Sequence, residues 1–238
     1  MDLMNPLYKQ IKKRITESLV MGLWHPGQSI PSEIDLSQSY NVSQGTVRKA
    51  IDELTAEKIL IRRQGKGTFV ATHNEENNQL RFLRLTSSLG NKEKLDNQLL
   101  SFEKEKASNG LAKILGINNA STTISMKRVL TFNQKPLILD LIKVAASSFR
   151  GLTAEKVIEK KGSMYRMYEA DFGIQMVQAN EKIKAIKASN EAAKILGVAV
   201  NTPILSVERI SYTYDSRPIE WRLGLCLTED HHYATELD

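Results

Sequence analysis

Two short stretches of the 238-residue sequence carry residues suited to a close approach to a polyanion. Where the start of a helix enters the major groove of DNA, small and hydroxyl-bearing residues let the backbone meet phosphate, and basic residues one turn later reach phosphate or guanine. The first stretch has this composition, in Ser43, Gln44, Gly45, Thr46, Arg48 and Lys49. A glycine-rich hairpin tip can press its backbone into the minor groove, because glycine has no Cβ. The second stretch supplies such a tip, in Gln64, Gly65, Lys66 and Gly67.

Each stretch taken alone also has a simpler explanation. Glycines in a hairpin usually serve only the turn, and basic residues on a helix usually face solvent. The Gly65-Lys66-Gly67-Thr68 sequence superficially resembles a phosphate loop, but Gly67 separates Lys66 from Thr68 and Leu60 occupies the place of the first glycine. We therefore do not interpret it as a nucleotide-binding loop.

The surrounding pattern predicts the elements that hold these residues. Apolar residues recur every four positions over residues 7–21, which is typical of an amphipathic helix. Ser32, with an acid three residues later, predicts a capped helix that ends at Tyr40. Ser43 predicts the cap of a third helix that runs to about Lys58. Two helices joined by a tight turn indicate a helix-turn-helix.

A hairpin and a polar segment follow. Ile59–Arg63 and Thr68–Ala71 are short β-prone runs around the glycine tip, and they predict a wing. The polar residues after them lack periodicity. We therefore expect a winged helix-turn-helix domain over residues 1–71, a linker over 72–79 and a second domain over 80–238.

The second domain contains an internal repeat. The segment that begins at Ala112 recurs at Ala193, an offset of 81 positions, and this alignment places Arg128 on Arg209. Each copy predicts a helix ended by glycine and followed by two strands. Two such units favour one antiparallel sheet with helices against it, so the fold class is α+β.

Bulk composition limits the function classes. The net charge is +6, and residues 1–71 hold 10 Lys and Arg against 7 Asp and Glu, which is compatible with a polyanionic partner. No run approaches the roughly 18 apolar residues of a membrane span, and the first residues lack the apolar centre of a signal peptide. We therefore expect a cytoplasmic protein with no membrane partner.

The sequence gives little sign of a cofactor or metal. The single cysteine, Cys226, has no partner at metal-ligand spacing and fits a reducing compartment. His231 and His232 follow Asp230, but adjacent residues of a strand point to opposite faces. We expect both histidines to face solvent, and we expect neither a metal site nor a cofactor.

The run from Pro6 to Val70 closely resembles the DNA-binding domain of the GntR family of bacterial transcription regulators. The likeness rests on three segments, PGxxIPSE, VSxxTVRxAxxxL and RxGxGTFV. The resemblance implies that DNA is contacted by Ser32, Thr46, Arg48 and the wing residues Gln64 to Gly67.

Two positions depart from the family pattern. The family usually has arginine directly after PSE and directly after VS, where this sequence has Ile34 and Gln44. A bidentate arginine–guanine contact is worth about 1 to 3 kcal/mol of base discrimination, whereas glutamine suits adenine. We therefore expect an operator poorer in guanine than the family norm, with Gln44 reading adenine.

From about Leu80 to the end, the sequence looks like the UTRA effector-binding domain of the HutC-like branch of GntR regulators. The segments that carry this likeness are MKRV…KPLI, GSMYRMYE and RPIEW. The resemblance implies a chorismate-lyase-like fold that binds a small metabolite without turning it over. The residues that the family motifs imply bind it are Arg128, Ser163, Tyr165 and Glu220, and we assign Ser88 and Tyr233 to the same site, with Ser87 as a further candidate.

The effector motif is incomplete. The second arginine of the family's Arg-x-Arg strand is Leu130 here, and the usual Arg-Gly-Asp-Tyr near the end is replaced by residues 227–230. The incomplete motif therefore argues against a doubly charged sugar phosphate as the ligand. It favours a carboxylate, or a domain that binds no ligand at all. Two structural roles remain open as alternatives to ligand binding. Arg128 pairs with Glu208 or with a strand neighbour, and Tyr165 is a core residue.

The function predicted from these observations is a homodimeric, ligand-responsive regulator, most often a repressor in this family, that binds a two-fold symmetric operator. A dimer is expected because one recognition helix reads only a few base pairs. A rival interpretation is an enzyme on a chorismate-lyase-like fold, against which the sequence lacks the G-x-S-x-G and H-E-x-x-H motifs. A third is a non-specific architectural DNA-binding protein without an effector.

Overall fold

The computed structural model describes residues 5–73, 84–88, 95–159 and 164–235. Its N-terminal part holds three helices and a two-stranded antiparallel hairpin. These are α1 (Leu7–Val20), α2 (Glu33–Tyr40), α3 (Gln44–Ala56), β1 (Leu60–Arg63) and β2 (Gly67–Val70). The predicted helix-turn-helix with a wing is confirmed, and every element ends within two residues of its expected position.

Local chemistry explains these boundaries. Ser43 accepts a hydrogen bond from the Thr46 amide at 3.2 Å and so caps the start of α3. Asn41 ends α2 in the left-handed conformation, with φ of 52°, which asparagine tolerates better than most residues. The apolar faces of α1 and α3 pack into one core, whose fully buried members include Ile15, Val47, Ile51 and Leu54.

The second part is built on a six-stranded antiparallel sheet in the order β4-β5-β6-β9-β8-β7. Its strands are β4 (Leu95–Lys106), β5 (Thr122–Phe132), β6 (Lys135–Ala145), β7 (Gln178–Lys187), β8 (Pro203–Tyr212) and β9 (Pro218–Cys226). Its helices are α4 (Asn109–Leu115), α5 (Ala154–Glu159), α6 (Met164–Phe172) and α7 (Asn190–Leu196). A separate antiparallel pair consists of β3 (Leu85–Ser87) and β10 (His231–Tyr233).

The internal repeat forms the two halves of this sheet. Helices α4 and α7 are related by the offset of 81, and each is ended by a left-handed glycine, Gly116 or Gly197. As predicted, each helix leads into two strands, and the structure adds a strand before each helix. Because β6 and β9 meet at the centre, the two halves are arranged about a pseudo-two-fold axis. Helix α4 packs against β9 and α7 against β6, so each half covers the other.

The opposite face of the sheet carries the main core cluster of the second part, under α5 and α6. Among its members are Met126 of β5, Ile142 of β6 and Tyr168 of α6. The apolar side chains of this cluster and the charged residues described below lie on the same face of the sheet, because alternate residues of a strand point to the same side. Helix α6 therefore lies directly over the charged part of the sheet.

Three details qualify the sequence-based expectations. The domain boundaries stay a prediction, and within the expected linker the structure describes Thr72 and His73, which are both buried. His231 was expected in solvent, which is wrong, because its ring is buried against Phe132 with the ring centroids 5.6 Å apart. Cys226 is buried, and loss of hydration raises the pKa of its thiol to about 12.

Candidate DNA interface and effector site

The starts of α2 and α3 lie side by side and are joined through one carboxylate. Glu33 accepts from Arg48 Nε at 2.9 Å, from Arg62 Nη2 at 3.0 Å and from Gln44 Nε2 at 3.4 Å. Arg62 also donates to Asp52, so both of its terminal nitrogens are engaged. Arg48 is held through Nε alone among these contacts and remains largely exposed. The Arg48 side chain is 58% exposed, and Gln44 lies one turn earlier on the same helix face.

The other predicted residues of this face divide into capping residues and exposed ones. The Ser32 hydroxyl accepts from the Asp35 amide and donates within the same capping box, so it organises the start of α2. Ser43 and Thr46 share a hydrogen bond of 2.9 Å between their hydroxyl groups. The ammonium of Lys49 lies 4.2 Å from the centroid of the Tyr8 ring, on the side of α1. Lys49 is therefore set apart from the Arg48 row.

The tip of the wing is open and shaped by glycine. Gly65 and Gly67 have φ of +70° and +101°, which L residues with a Cβ rarely adopt. An added Cβ at either position would meet nothing within 4 Å, so the glycines serve the backbone conformation and leave the outer surface bare. Lys66, which lies between the two glycines, and Gln64, which precedes them, are both exposed. The tip is thus free to lie against another molecule.

In the second part, a chain of buried charges crosses the sheet face beneath α6. Arg128 donates to Asp140 from Nε at 3.1 Å and Nη2 at 2.9 Å, and Arg222 reaches the same oxygen at 3.4 Å. Farther along, Arg209 donates to Glu181 at 2.6 Å from Nε. Arg128 was expected to pair either with Glu208 or with a strand neighbour, and the structure shows the strand neighbour, Asp140.

Glu220 lies at the centre of this chain and is completely buried. Its carboxylate accepts from Tyr165 and Tyr168 at 2.9 Å each, and from Arg222 at 3.0 Å on both oxygens. Tyr165 also lies 3.1 Å from the Ser211 hydroxyl and 3.4 Å from Arg209 Nη1. Loss of hydration, reinforced by Glu220, raises the pKa of the Tyr168 phenol well above its usual range. The burial of Arg222 opposes its charge, but Glu220, Tyr165 and Asp140 raise its pKa above the ordinary value.

Not all predicted effector residues belong to this cluster. Arg128, Tyr165 and Glu220 are joined through shared partners, and Tyr233 is joined through a hydrogen bond to Glu181. Ser88 is exposed and contacts His232, with 3.2 Å between Oγ and Nδ1, so the structure sets it apart from the buried charges. Ser163 lies outside the described residues.

Four members of the cluster were not predicted from the sequence, namely Asp140, Glu181, Arg209 and Arg222. The repeat contained the signal for Arg209, because the offset of 81 places it on Arg128. The same alignment with its single extra residue places Arg222 on Asp140, so equivalent positions carry opposite charges that meet across the pseudo-two-fold axis. With three arginines and three carboxylates, the cluster has no formal net charge.

Two family models match the chain. The model of bacterial regulatory proteins of the gntR family matches residues 7–70, and that of the UTRA domain matches residues 91–232. The chain belongs to the GntR family and carries a UTRA domain. Both resemblances drawn from the sequence motifs are thereby confirmed.

Known GntR regulators resemble the chain over most of its length. It is 29% identical over 236 residues to the mannosyl-D-glycerate transport/metabolism system repressor MngR of Escherichia coli K12, covering 96% of this chain and 95% of MngR. It is 27% identical over 213 residues to the "Probable fructoselysine utilization operon transcriptional repressor" of the same strain, covering 90% and 87%. One of these relatives is named as a transcriptional repressor and the other as a probable one, and the chain is accordingly a GntR-family transcriptional regulator rather than an enzyme.

A solved structure agrees with this assignment for the second domain. The ligand-binding domain of a GntR-family protein from Bordetella bronchiseptica is 37% identical, with a TM-score of 0.63, and covers 66% of this chain and 98% of that domain. Within the described residues, no helix is long and apolar enough to cross a membrane. In the same residues, no three His, Cys, Asp or Glu side chains are grouped so that they could hold a metal ion.

Proposed function

We propose that this GntR regulator represses transcription as a homodimer on a two-fold symmetric operator, and that a small anionic metabolite in the UTRA domain modulates its affinity for DNA. The observation that carries the proposal is the row formed by Gln44 and Arg48, fixed by Glu33 and flanked by the bare tip of the wing. A dimer is needed because a single winged helix contacts too few base pairs for selective binding in a genome. We place its action in the cytoplasm, with no membrane partner.

In this proposal the DNA contacts come from the N-terminal half of α3 and from the wing. Arg48 reaches a base or phosphate with its terminal nitrogens, and Lys66 lies against the minor groove. The small residues at the start of α3 let its backbone approach the phosphates. The full proposed set is Ser32, Ser43, Gln44, Gly45, Thr46, Arg48, Lys49, Gln64, Gly65, Lys66 and Gly67.

A double substitution tests this interface. Arg48→Ala with Lys66→Ala removes two cationic contacts, and it is expected to abolish selective binding and to lower the salt dependence of the remaining binding by about two counterions per head. Binding is measured by fluorescence anisotropy on a DNA fragment selected from a random pool by the wild-type protein. Unchanged affinity of the double variant would refute the proposed interface. Equal wild-type affinity for selected and random DNA would instead favour an architectural role.

We further propose that base preference differs from the family norm at two places. Gln44 presents an amide that suits adenine, and Ile34 next to Glu33 is an exposed apolar side chain that can contact a thymine methyl group. The selected operators should therefore contain A·T pairs where arginine would select G·C. Gln44→Arg and Ile34→Arg should each shift the selection toward G·C, by about 1 to 3 kcal/mol at the affected pair. A wild-type preference for G·C at these pairs would contradict this part of the proposal.

For the effector, we propose a carboxylate-bearing sugar derivative held by residues of the buried charge cluster. The set comprises Arg128, Tyr165, Glu220 and Tyr233, and Ser88 and Ser163 are further candidates from the sequence. Its arginines are already paired with carboxylates, so a bound anion has to replace Asp140 or Glu181 as their partner. A singly charged carboxylate makes that exchange with less excess charge than a phosphate. The names of the two E. coli relatives, which refer to mannosyl-D-glycerate and fructoselysine, support this class.

Thermal unfolding in the presence of a panel of compounds tests the effector. Sugar-linked carboxylates, sugar phosphates and free sugars are compared at equal concentration. A true ligand at 100 times its Kd is expected to add about 2.7 kcal/mol to the stability of the wild type. Tyr165→Phe, which removes one hydroxyl and keeps the ring, should reduce that gain. A gain confined to sugar phosphates would reject the carboxylate, and a gain from no compound would reject an effector of these classes.

A further inference from the structure

The chain that leaves the wing is fastened to helix α6 by a buried carboxylate. Glu169 accepts hydrogen bonds from the Thr72 hydroxyl and from the His73 amide, the latter at 2.8 Å. Next to this contact, Gln175 Nε2 donates to the Ala71 carbonyl at 2.5 Å. Glu169, Thr72, His73 and Gln175 are all less than one-tenth exposed. We call this group the Glu169 contact.

The same helix reaches the centre of the charge cluster. Tyr165 lies one helical turn before Glu169, and Tyr165 and Tyr168 both donate to Glu220. The His73 ring lies against the Tyr165 ring, with centroids 5.8 Å apart. A helix moves as a unit over so short a distance, because its backbone hydrogen bonds link successive turns. A displacement of the tyrosines therefore reaches Thr72 and His73 directly.

The rest of the boundary between the two domains is only partly closed. Val177 and Tyr214 of the UTRA domain join the apolar core of the winged helix. Beside them a cleft of 710 Å³ separates α1 from the start of β7 and from residues 213–216, and Lys9, Lys13 and Arg84 line it. The winged helix is thus held by a small apolar contact and by the Glu169 contact, with open space on one side.

We infer that Glu169 is a positioning residue that sets the placement of the winged helix according to the state of the effector site. With Tyr165 and Tyr168 bound to Glu220, the Glu169 contact holds the winged helix in one arrangement. A ligand that takes Tyr165 away from Glu220 shifts α6 and favours release of Thr72 and His73. The ligand acts through its preference for one of the two arrangements. This inference rests on the proposed dimer and effector.

The test measures how strictly the two heads of a dimer require one operator geometry. Operators selected by the wild type are rebuilt with the half-sites moved apart or together by one and two base pairs, and single half-sites are included. If the contact fixes the heads, the wild type should prefer one spacing by about fivefold or more. Glu169→Ala should reduce that preference to below about twofold, with affinity for the single half-site unchanged.

Two further variants keep the result interpretable. Thr72→Val removes a partner of Glu169 on the head side without touching α6, and it should also weaken the spacing preference. Glu191→Gln is the control, because Glu191 pairs with Lys127 at the surface within the UTRA domain. It should behave as the wild type. Circular dichroism and thermal unfolding confirm that each variant is folded.

The outcomes separate the inference from the function on which it rests. A wild-type spacing preference that persists in both Glu169→Ala and Thr72→Val overturns the positioning role. Loss of single half-site binding in these variants also overturns it, because damage to the winged helix itself would then explain the effect. A wild type without any spacing preference also overturns the inference, whereas binding of paired half-sites that is no tighter than binding of a single half-site would refute the proposed dimer.

Discussion

Replacing Asp140 by asparagine removes one charge from the buried cluster while keeping the size of the side chain. Asp140 is bound by both Arg128 and Arg222, and its side chain is 5% exposed, so solvent cannot replace the lost partner. The breaking of a buried ion pair from one side costs about 3 to 5 kcal/mol, and we expect the lower end because the asparagine oxygen still accepts one hydrogen bond. A larger residue at position 140 would add a steric effect, because the Asp140 carboxylate already lies close to the backbone of Gly224. A Cβ added to that glycine would be only 3.3 Å from Asp140 Oδ1.

The matching double variant decides whether charge is the cause. Arg128→Met with Asp140→Asn removes both charges of the closest pair and leaves Arg222 with Glu220. We expect the double variant to be about 2 kcal/mol more stable than the sum of the two single-variant losses predicts, because interaction energies between contacting residues reach this size. Unfolding by urea is followed through tryptophan fluorescence, to which Trp221 of the same sheet and Trp24 of the winged helix both contribute. The exposed pair of Lys127 and Glu191 is the control, where removal of either charge should cost less than about 1 kcal/mol. A double variant as unstable as the sum of the two single variants would refute the reasoning.

Three further outcomes are expected. Glu33→Gln should raise the affinity for random DNA, because it deletes a negative charge. It should also lower the ratio of selected to random binding about tenfold, because Arg48 loses the partner that orients it. An unchanged ratio would contradict this. Gly45→Ala should stabilise the winged helix by about 0.5 to 1 kcal/mol in thermal unfolding and still weaken operator binding, because the methyl group separates α3 from phosphate; tighter binding would argue against a close approach there. Cys226 should resist thiol reagents at pH 8 and react once urea unfolds the chain, because its folded pKa of about 12 keeps it protonated and its burial keeps reagents out; rapid reaction of the folded protein would show that the site opens.

The order and type of the elements could be predicted from sequence because each element is encoded locally. Ser43 supplies a cap whose hydrogen bond is made within four residues, and the wing glycines specify a conformation that other residues avoid. The repeat likewise predicted a helix and two strands in each half, since both copies carry the same periodicity and the same terminal glycine. Such signals need no knowledge of distant contacts.

The contacts that organise the two sites were not predictable in this way. The sequence motifs assigned no role to Glu33, and only the packing of α2 on α3 brings it to Arg48 and Gln44. Glu169 gave no sequence signal at all, because its partners lie 96 and 97 positions away. Pairing at such separation depends on the assembled sheet and helices. Such long-range pairing leaves no local pattern in a single sequence.

The pairing of the buried charges also changes what a ligand has to do. An arginine that projects into an empty pocket gains from the first anion that arrives, whereas Arg128 and Arg209 already have carboxylate partners at hydrogen-bond distance. Binding then exchanges one anion for another, so its free energy is a small difference between two large interactions. In the proposed exchange Asp140 or Glu181 has to move away from its arginine, and a response of α6 in addition requires Tyr165 and Tyr168 to leave Glu220. A ligand can therefore rearrange α6 only by the free energy with which it prefers the rearranged state, and that preference has to outweigh the buried hydrogen bonds that are lost.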